Sequence, residues 1–204
     1  MAGPRPVVVA CGIFAAELSA LWPGAFGGAE LVYLDSMLHM RPSELGRRLN
    51  ETLTGLGGRP IALAYGDCCP YMREMAEIPE RARTPGVNCC EIALGRARYR
   101  ELRRQGTFFF MPEWATRWRE VFSFELGLED PALARAFMQD TMKRLAYIDT
   151  GTKPVPKALL DEIAAYFELP MSIERVGSDE IVTAVRAALE RAAEADPARG
   201  RADG

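Results

Sequence analysis

Short apolar runs alternate with amphipathic segments along much of the chain. Residues 6–10 are rich in β-branched side chains, and apolar positions at helical spacing follow them as far as Trp22. The same order returns at 30–34 with 41–53, and again at 60–65 with 71–82. A repeated strand and helix pattern predicts a parallel sheet that is covered by helices.

The second half of the chain continues this pattern. Strands are predicted at 107–111, 145–148 and 171–176, and helices at 95–104, 114–122, 131–145, 157–167 and from Ser178 onward. We therefore predict an α/β fold with three layers: a mostly parallel sheet with helices on both faces, in a single Rossmann-like domain over residues 1–195. Residues 196–204 are predicted to be a disordered tail.

Composition and charge exclude several classes of protein. The 204 residues are 49% hydrophobic and 26% charged, which is typical of a globular chain. A net charge of -3 gives no overall attraction to nucleic acid or to an anionic membrane. The apolar runs are shorter than the ~20 residues that a membrane span requires. The sequence thus predicts a cytoplasmic chain whose partners are neither nucleic acid nor membrane.

The five cysteines and the single histidine occupy comparable places in the predicted fold. Each follows a predicted strand or precedes a predicted helix. Loops at the carboxyl ends of parallel strands meet at one edge of the sheet, where α/β folds bind ligands. Thiolate and imidazole are ligands for zinc and related metals. The predicted ligands of this metal site are Cys11, His39, Cys68 and Cys90.

Zinc is the first expected metal, and an iron–sulfur cluster or another transition metal is the alternative. The pocket around the metal is expected to include Asp67, Cys69, Asn88 and Cys89. Arg41 is expected to contact an anionic small-molecule ligand there, although pairing with a surface acid such as Asp35 is an equal alternative.

A purely structural interpretation of the same residues stays open. Free cysteine often behaves as a small buried hydrophobe, and an isolated histidine is more often structural than a ligand. The sequence has no C-x-x-C pair, so the metal prediction depends on the fold rather than on spacing. Dinucleotide-binding, P-loop and nucleophile-elbow motifs are also missing from the sequence.

Short motifs along residues 7–180 resemble a bacterial and archaeal family, domain of unknown function 1638. The motifs that carry the resemblance are Ala10-Cys11 with Glu17-Leu18, Leu38-His39 with Arg41-Pro42, Tyr65-Gly66-Asp67-Cys68, Cys90 with Leu94-Gly95 and Tyr99, and Gly106-Thr107 with Pro112 and Trp114. This chain departs from the family pattern at Cys69, where the family has glycine, and at Asn88-Cys89, where it has His-Asp. The missing histidine bears on ligand number and metal choice.

The resemblance implies an association with corrinoid-dependent methyl transfer, and therefore a corrinoid or methyltransferase partner. The expected function is a metal-binding protein that supports methyl-group or thiol-group chemistry. The alternative is an iron–sulfur or cofactor carrier, or a metallochaperone, without catalysis of its own. The sequence does not separate an enzyme from a carrier, since that depends on whether the metal keeps an open coordination position.

Overall fold

The computed structural model describes residues 4–22, 24–76 and 78–194, with only the backbone at Phe124. Within these residues the chain divides into two compact units. The first contains the described residues up to Ile92 and those from Ile181 onward, and the second contains Ala93–Glu180. The single domain over 1–195 stays a prediction, and the predicted tail at 196–204 lies outside the described residues.

The first unit holds a parallel sheet of four strands. They are β1 Val7–Cys11, β2 Glu30–Leu34, β3 Ile61–Ala64 and β4 Arg81–Arg83. The strand order is β2-β1-β3-β4, and every neighbouring pair is parallel. In the register of the central strands, Val9 lies opposite both Val32 and Leu63.

The second unit holds a parallel sheet of three strands. They are β5 Thr107–Phe110, β6 Arg144–Asp149 and β7 Met171–Arg175, in the order β5-β6-β7. Its core is aromatic: the ring of Phe122 lies 4.7 Å from that of Phe167 and 6.4 Å from that of Phe110, measured between centroids. Such tilted ring pairs stabilise a core beyond their buried area.

The α-helices of the described residues are α1 Ala15–Leu21, α2 Pro42–Gly55, α3 Met72–Ala76, α4 Cys89–Leu94, α5 Arg96–Arg104, α6 Pro112–Thr116, α7 Pro131–Thr141, α8 Lys157–Phe167 and α9 Asp179–Glu194. Short 3-10 helices at Gly12–Phe14 and Ser36–Met40 follow β1 and β2. A π-helix at Glu120–Glu125 begins within the helix predicted at 114–122 and extends beyond its predicted end.

Helix α2 covers one face of the first sheet. Its inward positions Leu45, Leu49 and Leu53 are spaced by four residues, so they lie on one side of the helix. They form one buried cluster with Val9 and Leu63. Each buried leucine contributes roughly 1.5–3 kcal/mol to folding. The residues of β1 that point to the opposite face are also fully buried, so the sheet is covered on both sides.

The predicted α/β class with parallel strands is confirmed, but in the described residues the strands form two sheets rather than one. The helix predicted over 71–82 is wrong at its end, because α3 stops at Ala76 and residues 81–83 form β4. The helix predicted over 131–145 likewise ends at Thr141, and β6 begins at Arg144. No helix in the described part of the chain is long and apolar enough to cross a membrane.

Candidate metal site

The cysteines lie along one edge of the first sheet. Cys11 is the last residue of β1, Cys68 and Cys69 follow β3, and Cys89 and Cys90 begin α4 after β4. Because the strands are all parallel, their carboxyl ends share this edge, as predicted from the sequence. We call these five residues the thiol edge.

The thiol edge includes the point where the strand order reverses. The chain passes from β1 to β2 on one side of it, and then returns to β3 on the other side. Open α/β sheets bind ligands beyond the carboxyl ends of the two strands that flank such a reversal. Cys11 and Cys68 follow those two strands.

Close backbone contacts hold the loops of this edge together. The backbone N–H of Asp67 donates a hydrogen bond to the carbonyl of Val87, at 2.9 Å. Gly66 lies so close to this segment that a Cβ there would be 2.4 Å from the Cα of Asn88. A Cβ on Gly12 would lie 3.0 Å from the carbonyl oxygen of Leu34. The loop after β1 therefore packs against the end of β2, and the loop after β3 packs against the start of α4.

The thiols of this edge influence one another. The sulfurs of Cys89 and Cys90 are 3.9 Å apart. Burial first, and then a thiolate at Cys89, raise the pKa of Cys68 to about 12. The pKa of Cys89 is also raised well above its usual value, first by its hydrogen bond with Cys90 and then by burial. Cys68 and Cys89 are therefore neutral thiols near pH 7.

Tyr65, directly after β3, is a site residue to which sequence reasoning assigned no role. It is 1% exposed, and its hydroxyl has no hydrogen-bond partner among the described residues. Burial raises its pKa well above the usual value, and thiolates at Cys11, Cys68 and Cys69 would add to that rise. The hydroxyl is thus a buried polar group next to the thiol edge. The sequence did contain a signal for the position of Tyr65. Tyr65 lies two residues after Leu63, and this spacing places both side chains on the sheet face that α2 covers.

Cys69 occupies a different environment from Cys68. It is buried in the apolar cluster beneath α2, together with Leu49 and Met72. Its sulfur lies 3.9 Å from the position that a Cβ on Gly46 would take. These contacts give Cys69 a packing role against α2, and its contact with a ligand stays a prediction.

His39 and Arg41 follow β2 and are both exposed. His39 lies in the 3-10 helix at Ser36–Met40, and the backbone N–H of Arg41 donates to the carbonyl of Leu38 at 2.9 Å. Partial desolvation lowers the pKa of His39, so its imidazole is neutral at pH 7 and has a lone pair available for a metal. The contact of Arg41 with an anionic ligand stays a prediction.

Asp67 and Asn88 have structural partners. Asp67 forms an ion pair with Arg83 at 3.1 Å. The side-chain oxygen of Asn88 accepts from the backbone N–H of Glu91, and the Glu91 carboxylate accepts from the backbone N–H of Val87, both at 2.9 Å. This reciprocal arrangement caps the first turn of α4 and fixes the position of Cys89 and Cys90.

The side chains near the thiol edge are chemically suitable ligands for a soft metal, but they do not surround a single point. Thiols, a neutral imidazole and a buried hydroxyl without a described partner lie at or near the same sheet edge. Among the described residues, however, no three histidine, cysteine, aspartate or glutamate side chains are grouped in a way that could hold a metal ion. Metal binding at this edge therefore requires side-chain rearrangement.

Comparison with known proteins gives one match. No curated protein and no solved structure matches the chain. The model of a family described as "Protein of unknown function (DUF1638)" matches residues 33–185, which is more than half of the chain. The chain therefore belongs to the DUF1638 family.

Proposed function

We propose that this protein binds one thiophilic transition-metal ion, zinc in the first instance, at the thiol edge. The ligands are Cys11, Cys68 and Cys90, with His39 either as the fourth ligand or as a hydrogen-bond donor behind the others. The observation that carries the proposal is the place of Cys11 and Cys68 after β1 and β3, the two strands at the reversal of the sheet order.

The electrostatics of the thiols support a shared site. Cys68 interacts electrostatically with Cys89, whose sulfur lies 3.9 Å from that of Cys90. The start of α4 therefore lies within electrostatic range of the loop after β3. Because the two sulfurs of α4 are neighbours, Cys89 is the residue that could replace Cys90 as a ligand.

Binding requires two changes in the metal-free protein. The thiols must rotate toward one another, since three donors are not grouped in the described residues. Each thiol must also lose its proton, because metals bind the thiolate. A bound zinc ion stabilises thiolates and acts as a Lewis acid toward a substrate oxygen or thiol. An open coordination position would serve catalysis, and four protein ligands would serve a structural or carrier role.

Metal analysis of protein purified without oxygen tests the proposal. We expect near-equimolar zinc by elemental mass spectrometry, and a dissociation constant measurable by competition with a chromogenic chelator. Cys11→Ser and Cys68→Ser should each weaken zinc binding by at least about tenfold. Cys69→Ala is the matched control, because Cys69 packs against α2, and it should leave stoichiometry and affinity unchanged.

The remaining outcomes decide between this proposal and its alternatives. Protein that neither contains zinc nor takes it up would contradict the proposal. An equal loss of zinc affinity in Cys11→Ser and Cys69→Ala would also contradict it. Iron together with acid-labile sulfide would replace zinc with an iron–sulfur cluster. Comparing Cys89→Ser with Cys90→Ser assigns the ligand from α4. A corrinoid or methyltransferase partner, and methyl-group or thiol-group chemistry, stay predictions.

A further inference from the structure

A broad cavity that is largely open to solvent lies beside β4 and has a strongly basic wall. It has a volume of about 450 Å³ and is lined by Arg73 from α3, Arg81 and Arg83 from β4, and Arg191 from α9. Among the described residues that line it, none is acidic. Small-molecule sites typically occupy about 300–1,000 Å³, so this cavity has room for a small ligand.

The strand geometry explains why two of these arginines share the cavity. Side chains alternate between the two faces of a strand, so Arg81 and Arg83 point to the same side of β4. Ala82, between them, is 7% exposed and points to the opposite, buried side. The sequence Arg-Ala-Arg thus places two guanidinium groups along one wall.

Hydrogen bonds hold two of the arginines in place. One terminal nitrogen of Arg83 donates to the carbonyl oxygens of Gly86, at 2.8 Å, and Tyr65, at 3.3 Å. Its side chain is only 17% exposed. Arg191 reaches the same strand from α9 and donates to the carbonyl oxygen of Arg83 at 2.7 Å. Backbone carbonyl groups therefore position both side chains, which lowers the entropy lost when a ligand binds.

The positive charge of the wall exceeds the negative charge paired with it. Asp67 lies 3.1 Å from Arg83 and 3.8 Å from Arg73. One carboxylate thus serves two of the four guanidinium groups. The convergence of four like charges is unfavourable unless an anion compensates it, and guanidinium groups bind phosphate oxygens through paired hydrogen bonds.

We propose that this cavity binds a small molecule that carries a phosphate or diphosphate group. The site is separate from the thiol edge and does not depend on a bound metal, although Asp67 lies next to both. Charged side chains also protect an edge strand such as β4 from pairing with other chains. Arginines that only protect the edge strand would not bind a ligand saturably. Saturable binding therefore distinguishes a phosphate site from edge protection.

Calorimetric titration with inorganic pyrophosphate tests the proposal, using full-length protein that has been treated with chelator and dialysed. We expect saturable binding with one site per chain. Arg81→Gln and Arg191→Gln should each weaken it by about tenfold or more, because each removes charged hydrogen bonds. Arg100→Gln makes the same charge change at a residue of α5 that does not line the cavity, and it should alter affinity by less than about twofold.

Two further titrations define the site. Tricarballylate, a tricarboxylate, should bind more weakly than pyrophosphate, and tighter binding would assign the cavity to carboxylates and overturn the proposal. Cys68→Ser should retain pyrophosphate binding, since a loss in this variant would place the anion at the thiol edge rather than in the cavity and would overturn the proposal. The proposal is also overturned if pyrophosphate shows no saturable binding, or if both cavity variants bind it like the wild type. It is overturned as well if Arg100→Gln weakens binding as much as the cavity variants do.

Circular dichroism verifies that each variant is folded. If Arg191→Gln does not fold, Arg81→Gln alone tests the cavity.

Discussion

Gly66 lies where the loop after β3 passes the segment before α4, and its replacement by alanine tests how the thiol edge is assembled. A Cβ at this position would lie 2.4 Å from the Cα of Asn88, 2.5 Å from the carbonyl oxygen of Val87 and 2.6 Å from the backbone nitrogen of Asn88. Unstrained contacts between such atoms are about 3.5–4.0 Å. The two segments must therefore separate by roughly 1 Å to accept one methyl group.

The cost of this separation follows from what the contact contains. All three atoms belong to the backbone, so no side-chain rotation relieves the overlap. Forced overpacking costs about 1–3 kcal/mol, and separation also breaks the hydrogen bond from Asp67 N–H to Val87 O, worth about 1 kcal/mol. We expect Gly66→Ala to lower the free energy of unfolding by about 3 kcal/mol, a large fraction of the ~5–15 kcal/mol of a typical domain.

Urea denaturation followed by circular dichroism measures this loss against a matched control. Gly55, the last residue of α2, has no neighbouring atom within 4 Å of its would-be Cβ, so Gly55→Ala should be neutral or stabilise by up to about 1 kcal/mol. Gly66 is not among the glycines with positive φ, so its requirement is for space rather than for conformation. A loss below about 1 kcal/mol in Gly66→Ala would show that the two segments separate without strain.

Three further predictions concern single side chains of the site. The pKa of Cys68 is about 12 in the folded state against an ordinary 9.0, so the unfolded chain loses this proton first as the pH rises. The contribution of this thiol to the free energy of unfolding should be constant below about pH 9 and should fall between pH 9 and pH 12 by at most about 4 kcal/mol. Cys68→Ala should reduce that decline in denaturation curves. Tyr65→Phe removes a buried hydroxyl without a described partner, and should raise the stability of the metal-free protein by about 1 kcal/mol; a comparable loss would show that the hydroxyl has a partner. Asn88→Ala should lower the free energy of unfolding by about 1 kcal/mol through loss of the α4 cap, and an unchanged free energy of unfolding would show that this cap contributes little to stability.

The bounds of some elements were predictable from the sequence. The prediction for β2 has the bounds of the structure, because a short apolar run there stops at the polar residues Asp35 and Ser36. The prediction for α8 has them too, since its buried residues keep helical spacing as far as Phe167. Strand β4 was not predictable in this way, since its three residues contain only one buried side chain, and the end of α3 was placed too late because β4 was counted with the helix. The end of α7 was placed too late because neither glycine nor proline separates it from β6.

The sequence also indicated where the candidate site lies, but not its detailed contacts. That Cys11 and Cys68 share a sheet edge followed from the alternation of strands and helices alone. Which member of each cysteine pair faces the other loop depends on tertiary contacts, such as the passage of Gly66 against Asn88, that leave no local pattern. Tyr65 was missed because its alternation with Leu63 shows which face of the strand it lies on but not that its hydroxyl lacks a partner. Arg83 was missed because β4 was not recognised as a strand.

X-ray absorption at the zinc edge, on full-length protein purified without oxygen and loaded with one equivalent of zinc, tests the proposed metal site. We expect three sulfur scatterers at about 2.3 Å from zinc, with one nitrogen or oxygen scatterer at about 2.0–2.1 Å. Cys68→Ser should remove one sulfur from the zinc site, and Cys69→Ala should remove none. A first coordination sphere of nitrogen and oxygen alone, or the same sulfur count in Cys68→Ser as in the wild type, would contradict the proposed site.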